Sequence, residues 1–142
     1  MKINEEVGPL GKEVDALSFR VVGCCLEVHR VLGPGLLESV YEEALAYEFG
    51  QARLAFQRQR DMSLRYKETS FDCGFRLDFC IAGRLILELK AVNELLPVHH
   101  AQLLTYLKLE RCPLGLLVNF NVPMLKNGIR RVVVGDTFKN PC

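Results

Sequence analysis

No hydrophobic run in this chain reaches the length of about 18 residues that a membrane span requires, because polar or charged residues interrupt each one early. The first residues, MKINEEVGPLGKEVDAL, also lack the apolar core of a secretory signal. We therefore expect a cytoplasmic protein. A length of 142 residues is typical of one domain, here 1–142, with loosely ordered ends at 1–13 and 135–142.

The cysteines lack the spacing of a redox motif or a zinc finger. No two of them form C-x-x-C, and none stands near a His pair in zinc-finger order. Without an export signal, we expect free and mostly buried thiols. The six are Cys24, Cys25, Cys73, Cys80, Cys112 and Cys142.

The net charge of +1 is too small to indicate a partner, but the charges are unevenly distributed. Residues 1–50 contain nine acids and four Lys or Arg, whereas residues 51–142 contain eight acids and fourteen Lys or Arg. A basic second part fits a surface that faces phosphates. Solvated strands that bind nothing have a similar composition, so the pattern favours nucleic acid only weakly.

Hydrophobic periodicity predicts two helices, three strands, a third helix and then one or two strands. A run of antiparallel strands followed by a helical crossover favours an α/β fold, with a mixed sheet and helices on its faces. In the second helix the expected buried side is Leu37, Val40, Tyr41, Ala44, Leu45 and Phe49. The predicted helices cover 15–32, 36–53 and 97–110, and the predicted strands cover 56–66, 71–81, 84–91, 115–120 and 129–134.

The segment FRLDFCIAGRLILELKAV places charged residues among residues typical of a core. Alternation on its second strand points Leu85, Leu87, Leu89 and Ala91 to the core, and it points Arg84, Ile86, Glu88 and Lys90 the other way. The Cβ atoms of Glu88 and Lys90 would then lie about 7 Å apart on one face. On the preceding strand, Asp78 shares a face with Arg76 and Cys80, opposite Leu77, Phe79 and Ile81.

The loop between these strands decides whether Asp78 meets Glu88. A two-residue Ala82-Gly83 loop would pair Asp78 with Leu87 and place its carboxylate on the wrong face. An odd-length loop, in which Gly83 could be the left-handed residue, or a bulge brings Asp78 onto the face of Glu88. We predict the second arrangement.

In that register two carboxylates and a lysine converge. Oxygen ligands select a hard cation such as Mg²⁺ or Mn²⁺, which neutralises the paired carboxylates and activates water for phosphodiester hydrolysis. A nearby lysine can orient that water or offset developing charge. The plainer alternative is a salt bridge between Glu88 and Lys90 on a solvated face.

Two helices carry further candidates. Gln102 and Tyr106 lie four residues apart on one helical face, with His99 three residues before Gln102. In the second helix, Glu38 and Tyr41 lie three residues apart. Glu38 can equally be a first-turn acid that complements the helix dipole, and both tyrosines can be core residues with a bonded hydroxyl.

The strings GPGLLESVYEEAL, RLDFCIAGRLILELKAV and HHAQLLTYLKLERCPLGLLVNF, in this order, resemble the GxxExxY protein family of the PD-(D/E)XK nuclease superfamily. The resemblance covers about residues 14 to 134 and implies a restriction-endonuclease-like αβββαβ core, here with an extra N-terminal helix. Leu77 stands where the motif name has Pro, a departure that is common in the superfamily.

The resemblance also implies roles for individual residues. Asp78 and Glu88 would bind the metal, with the backbone carbonyl of Leu89 and the carboxylate of Glu38 as further ligands, and Lys90 would position the water. Gln102 and Tyr106 match the helix motif of the RecB-like branch, where such residues support the site and contact substrate. His99 and Tyr41 are further substrate-binding candidates.

Three functions follow as alternatives. The first is a Mg²⁺- or Mn²⁺-dependent nuclease that acts on DNA rather than RNA. The second is a nucleic-acid-binding or regulatory module that keeps the fold without turnover, and the third is a protein-interaction domain. So small a chain leaves target recognition to a partner protein or a homodimer.

Overall fold

The computed structural model describes residues 11–134; residues 1–10 and 135–142 lie outside the described part. Three helices and five strands follow one another in nearly the predicted order and extent. They are α1 (Gly11–Leu32), α2 (Glu38–Gln51), β1 (Phe56–Tyr66), β2 (Thr69–Ile81), β3 (Leu85–Lys90), α3 (Pro97–Glu110), β4 (Leu114–Asn119), a 3-10 turn (Leu125–Gly128) and β5 (Ile129–Val133).

The five strands form one mixed sheet in the order β1-β2-β3-β4-β5. Strands β3 and β4 are parallel because α3 carries the chain back between them, and the other neighbours are antiparallel. The predicted α/β class is therefore confirmed, with a restriction-endonuclease-like αβββαβ core and α1 as an additional helix. Gly11 to Glu13, expected to be loosely ordered, already belong to α1.

Helices cover both faces of the sheet, so the central strands are buried on both sides. On one face, α1 and α2 pack over Leu85, Leu87 and Leu89 of β3, as predicted. On the other face, α3 covers a second cluster that includes Ile86. Ile86 was expected on the cleft side together with Glu88, yet it is fully buried. Only the end of β3, from Glu88 onward, can line a cleft.

Helix α1 ends where predicted, since Gly33 is left-handed at φ +68° and its N–H donates to His29 O at 2.8 Å. The predicted buried side of α2 is partly wrong. Leu37 is 75% exposed and Val40 is 40% exposed. Helix α2 begins only at Glu38, so Leu37 precedes it, and the side chain of Val40 in its first turn does not pack into the core.

Four cysteines, Cys24, Cys25, Cys73 and Cys112, are in the thiol form as expected. Cys80 is disulfide-bonded, contrary to the expectation, and Cys142 lies outside the described residues. Among the helices of residues 11–134, none combines the length and the apolar composition needed to cross a bilayer.

Candidate active site

The loop between β2 and β3 has three residues, as predicted. Ile81 pairs with Leu85, and the Arg84 N–H donates to Ile81 O at 3.0 Å. Both Ala82 and Gly83 are left-handed, at φ +53° and +64°, whereas the sequence suggested this conformation for Gly83 alone. This loop length brings Asp78 level with Glu88 on the neighbouring strand.

Strands β2 and β3 stop pairing at Asp78 and Glu88, and the two carboxylates take the place of the backbone hydrogen bonds between the strands. The last paired residues are Phe79 and Leu87. Beyond them the Asp78 N–H donates to Glu88 Oε2 at 2.9 Å, and the Leu89 N–H donates to Asp78 Oδ2 at 2.8 Å. Each carboxylate thus satisfies a backbone donor of the opposite strand, so both are held in defined positions before any ligand binds.

Strand β1 is irregular beside Asp78. Gln59 has φ +50°, and it lies between the pairs Arg58–Phe79 and Arg60–Leu77. Phe79 packs under α1 and α2, whereas Leu77 packs under α3, so the strand changes faces at Asp78. The expectation that Leu77 shares a face with Phe79 is therefore wrong, because simple alternation fails at this kink.

Gln59 and Glu42 support Asp78 from outside β2 and β3, and neither was singled out from the sequence. Gln59 Nε2 donates to Asp78 Oδ1 at 3.3 Å and to Glu42 Oε1 at 2.6 Å. Arg58 in turn forms an ion pair with Glu42. Helical spacing could have indicated Glu42, which lies one turn after Glu38. No local pattern marks Gln59.

Burial disfavours the ionised forms of Asp78 and Glu88. Glu88 is 6% exposed, and its burial, reinforced by the charges of Asp78 and Glu38, raises its pKa to about 8. Burial also raises the pKa of Asp78, although the Leu89 N–H and Lys90 oppose that shift. Such a pair is electrostatically incomplete and favours a cation between its members.

Glu38, the exposed first residue of α2, lies close enough to Asp78 and Lys90 to interact with their charges. Partial desolvation and the negative charge of Asp78 raise the pKa of its carboxyl, while Lys90 lowers it. These interactions bring Glu38 into the same electrostatic cluster as the two strand carboxylates. A glutamate that only complements the dipole of α2 would not need to interact with Asp78, which lies on a different element.

The donor set fits a hard divalent cation. Asp78 and Glu88 offer carboxylate oxygens, and the Leu89 carbonyl points to the same side of β3 as its N–H, toward Asp78. Within residues 11–134, no three acidic, His or Cys side chains already surround a common ion position.

Helix α3 brings Tyr106 to the other side of the carboxylates. Tyr106 is 4% exposed, and burial together with the charges of Glu88 and Asp78 raises its pKa to about 12. Gln102 lies one turn earlier and is partly exposed. His99 takes part in starting the helix, since its Nδ1 accepts the Leu96 N–H at 3.0 Å.

Tyr41 does not fit the substrate-binding role predicted for it. Its side chain is fully buried and stacks on Phe120 at 4.5 Å between ring centroids. The hydroxyl donates to Gly33 O at 2.6 Å and accepts the Leu36 N–H at 3.2 Å. Tyr41 therefore shapes the loop that precedes Glu38 from within the core.

A comparison with protein families agrees with the fold. Searches of curated proteins and of solved structures found no significant match. A family model described as PD-(D/E)XK nuclease superfamily matches residues 15–132, which is most of the chain. The protein belongs to the PD-(D/E)XK nuclease superfamily.

Proposed function

We propose that the protein is a metal-dependent nuclease that hydrolyses phosphodiester bonds, with DNA as the preferred substrate. The main support is that Asp78 and Glu88 each accept a backbone N–H from the other's strand and lie near Lys90. A structural ion pair would not require a buried Glu88 and a partly buried Asp78 side by side, both with raised pKa values. This proposal includes membership of the GxxExxY family and the RecB-like branch.

Each residue has a chemical task in this proposal. Asp78 and Glu88 hold Mg²⁺ or Mn²⁺, with the Leu89 carbonyl and Glu38 as further oxygen donors. The bound cation would polarise the phosphate and lower the pKa of a water. Lys90 lies near both carboxylates, where its ammonium group orients the attacking water or offsets charge on the phosphate.

Gln102 and Tyr106 face the substrate from α3 in this arrangement. Tyr106 keeps its proton at neutral pH because its pKa is about 12, so its hydroxyl can donate a hydrogen bond but cannot act as a general base. Protein partners and a homodimer stay predictions, as does the choice of DNA over RNA.

The test is a cleavage assay with labelled single-stranded, duplex and branched DNA and with RNA, each in Mg²⁺, Mn²⁺ or EDTA. We expect metal-dependent cleavage that Lys90→Ala reduces at least about 100-fold, the lower range for loss of an electrostatic catalytic group. Lys126→Ala, at an exposed lysine of the 3-10 turn, is the matched control and should leave the rate unchanged.

Cleavage that persists in EDTA, or equally in the Lys90→Ala variant, would contradict the proposal. A melting scan separates the remaining outcomes, because a cation that binds only the native state raises the melting temperature. Binding of DNA with neither cleavage nor a Mn²⁺ shift would favour the non-catalytic binding module.

A further inference from the structure

The hairpin of β1 and β2 extends well beyond the rest of the sheet. Strand β3 pairs only with Phe79–Ile81 of β2 and contacts Asp78 through side chains, so the segment from Thr69 to Leu77 has no strand partner on that side in the described chain. At the usual rise per residue this segment spans about 30 Å. Because β2 and β3 are antiparallel, the extension projects from the end of β3 that carries Glu88 and Lys90.

One side of this extension carries exposed aromatic rings, which we call the aromatic ledge: Tyr66, Phe71 and Phe75. Their exposed fractions are 56%, 48% and 48%. The pairing of the two strands shifts opposite the buried Met62, but β1 keeps its alternation there, so Leu64 and Tyr66 lie on the same side as Met62, which is the side of α3. Phe71 lies on that side because it pairs with Leu64, and Phe75 lies there because its ring contacts Tyr106 of α3. The ledge thus follows one face of the hairpin toward its tip.

The ledge begins next to the candidate active site. The Phe75 ring lies 5.7 Å from the Tyr106 ring between centroids, and Tyr106 interacts with the charges of Glu88 and Asp78. At the other end, Lys67 Nζ lies 5.2 Å from the centroid of the Tyr66 ring. A row of rings therefore connects the two carboxylates with a cation at the hairpin tip.

We propose that the aromatic ledge stacks unpaired bases and that the substrate is single-stranded nucleic acid or an unpaired end. Aromatic rings beside basic groups are the usual platform for single strands, because every unpaired base has an exposed π-face. The bases of an intact duplex are stacked on each other and do not offer these faces. The ammonium of Lys67 suits the phosphate backbone at the tip.

This inference rests on the proposed function, since it concerns the substrate of the same site. A second copy of the chain is a poorer occupant. The ledge begins beside Asp78 and Glu88, so a second copy bound to it would block the access of the scissile phosphate to the proposed metal site. Self-association through the ledge would overturn the proposal.

The first experiment measures binding without turnover. Oligonucleotides that carry 2-aminopurine at successive positions are titrated with the protein in EDTA, as single strands and as duplexes. Stacking should quench the fluorescence of single strands at one or a few positions. We expect Phe75→Ala to weaken single-strand binding about 5- to 150-fold, the range of one lost stacking interaction, and to leave duplex binding unchanged.

Three variants keep this result interpretable. Phe75→Tyr should restore binding because it retains the ring, and Phe71→Ala should weaken binding without disturbing the contact with Tyr106. Phe19→Ala is the matched control, since Phe19 is 81% exposed on α1 outside the ledge. Equal affinities of all variants for single strands would overturn the proposal.

An abasic substrate tests the stacking itself. If Phe75 stacks on one base, removal of that base and Phe75→Ala should each weaken binding, and together they should cost little more than either alone. Fully additive losses would overturn the assignment. A change in the sedimentation of the free protein on Phe75→Ala would assign the ledge to a second copy and also overturn it.

The same samples separate this inference from the proposed function. Ledge-dependent binding of single strands without metal-dependent cleavage would support the ledge and refute the nuclease. Metal-dependent cleavage of duplex and single strands at equal rates, unaffected by Phe75→Ala, would support the nuclease and refute the ledge. Absence of both would refute both.

Discussion

Glu88 shows how a functional side chain is kept in a place where burial opposes its charge. Its carboxylate accepts the Asp78 N–H, but burial and the neighbouring acids outweigh that bond and raise its pKa to about 8. In a metal-free protein, the folded state therefore holds a proton that the unfolded chain has released at neutral pH. The site stores unfavourable electrostatics that a bound cation would relieve.

This predicts a pH dependence of stability in EDTA. The pKa of Glu88 rises from 4.5 to about 8 on folding. Its contribution is therefore complete below pH 4.5 and is lost progressively as the pH rises toward 8. Glu88→Gln removes this loss and keeps an acceptor for Asp78 N–H. We expect the variant to gain more than about 1.4 kcal/mol over the wild type between pH 5 and pH 8.5, the value of one pKa unit.

Urea unfolding at the two pH values measures this difference. Glu94→Gln, at an exposed glutamate of the loop after β3, serves as the matched control and should follow the wild type. Parallel pH profiles for wild type and Glu88→Gln would show that Glu88 is already ionised in the folded protein.

At the scale of elements, the kink of the β1–β2 hairpin positions the site. Gln59 adopts a left-handed conformation that is unfavourable for a residue with a side chain, and its amide contacts Asp78 and Glu42. The same kink directs Phe79 to one layer and Leu77 to the other. Backbone strain at Gln59 is thus coupled to the position of the Asp78 carboxylate.

Gln59→Gly should separate the two consequences of the kink. Glycine adopts positive φ without a steric penalty, so the free energy of unfolding should stay equal or rise by about 1 kcal/mol. The variant loses the amide that donates to Asp78, and cleavage should fall about tenfold, in line with one hydrogen bond to a charged group.

Gln59→Ala provides the comparison, because it loses the amide and keeps the strain. We expect the same loss of activity with no gain in stability, measured by urea unfolding and by the cleavage assay. Full activity in both variants would mean that Asp78 is positioned by the Leu89 N–H alone.

At the scale of the molecule, two side-chain amides at and just after the end of β4 connect the segments that carry the proposed site residues. The Asn119 side chain, 1% exposed, accepts the Val92 N–H at 3.0 Å and donates to Val92 O at 2.9 Å. Asn121 Oδ1 accepts the Gly35 N–H at 3.1 Å. Val92 lies two residues after Lys90, and Gly35 lies three residues before Glu38. Asn119 and Asn121 therefore help to position both Lys90 and Glu38.

Asn119→Ala should therefore destabilise the protein and impair the site together. The N–H groups of Val92 and Asn121 lose the acceptor that Asn119 Oδ1 provides, and Val92 O keeps only the longer bond from Asn121 Nδ2 at 3.4 Å. We expect a loss of about 2–4 kcal/mol in the free energy of unfolding. Asn127→Ala, at an exposed position of the 3-10 turn, should have little effect. An Asn119→Ala variant with wild-type stability in urea would show that solvent replaces these bonds.

The sequence by itself determined the elements and the register of the site. Alternation predicted β1 over 56–66, and helical spacing after Pro97 predicted α3 over 97–110, with the same bounds as the structure. The three-residue loop followed because Asp78 had to share the side of Glu88. These features were predictable because they depend on backbone geometry within a few residues.

Only the tertiary structure decided how that register becomes a site. No local signal marks the kink at Gln59, the core position of Tyr41 or the exposure of Leu37. Each depends on which distant segment fills the space beside a residue, as when α3 covers Ile86 and leaves Glu88 at the cleft edge. Periodicity specifies the side of a strand to which a residue points, but only packing specifies what lies on that side.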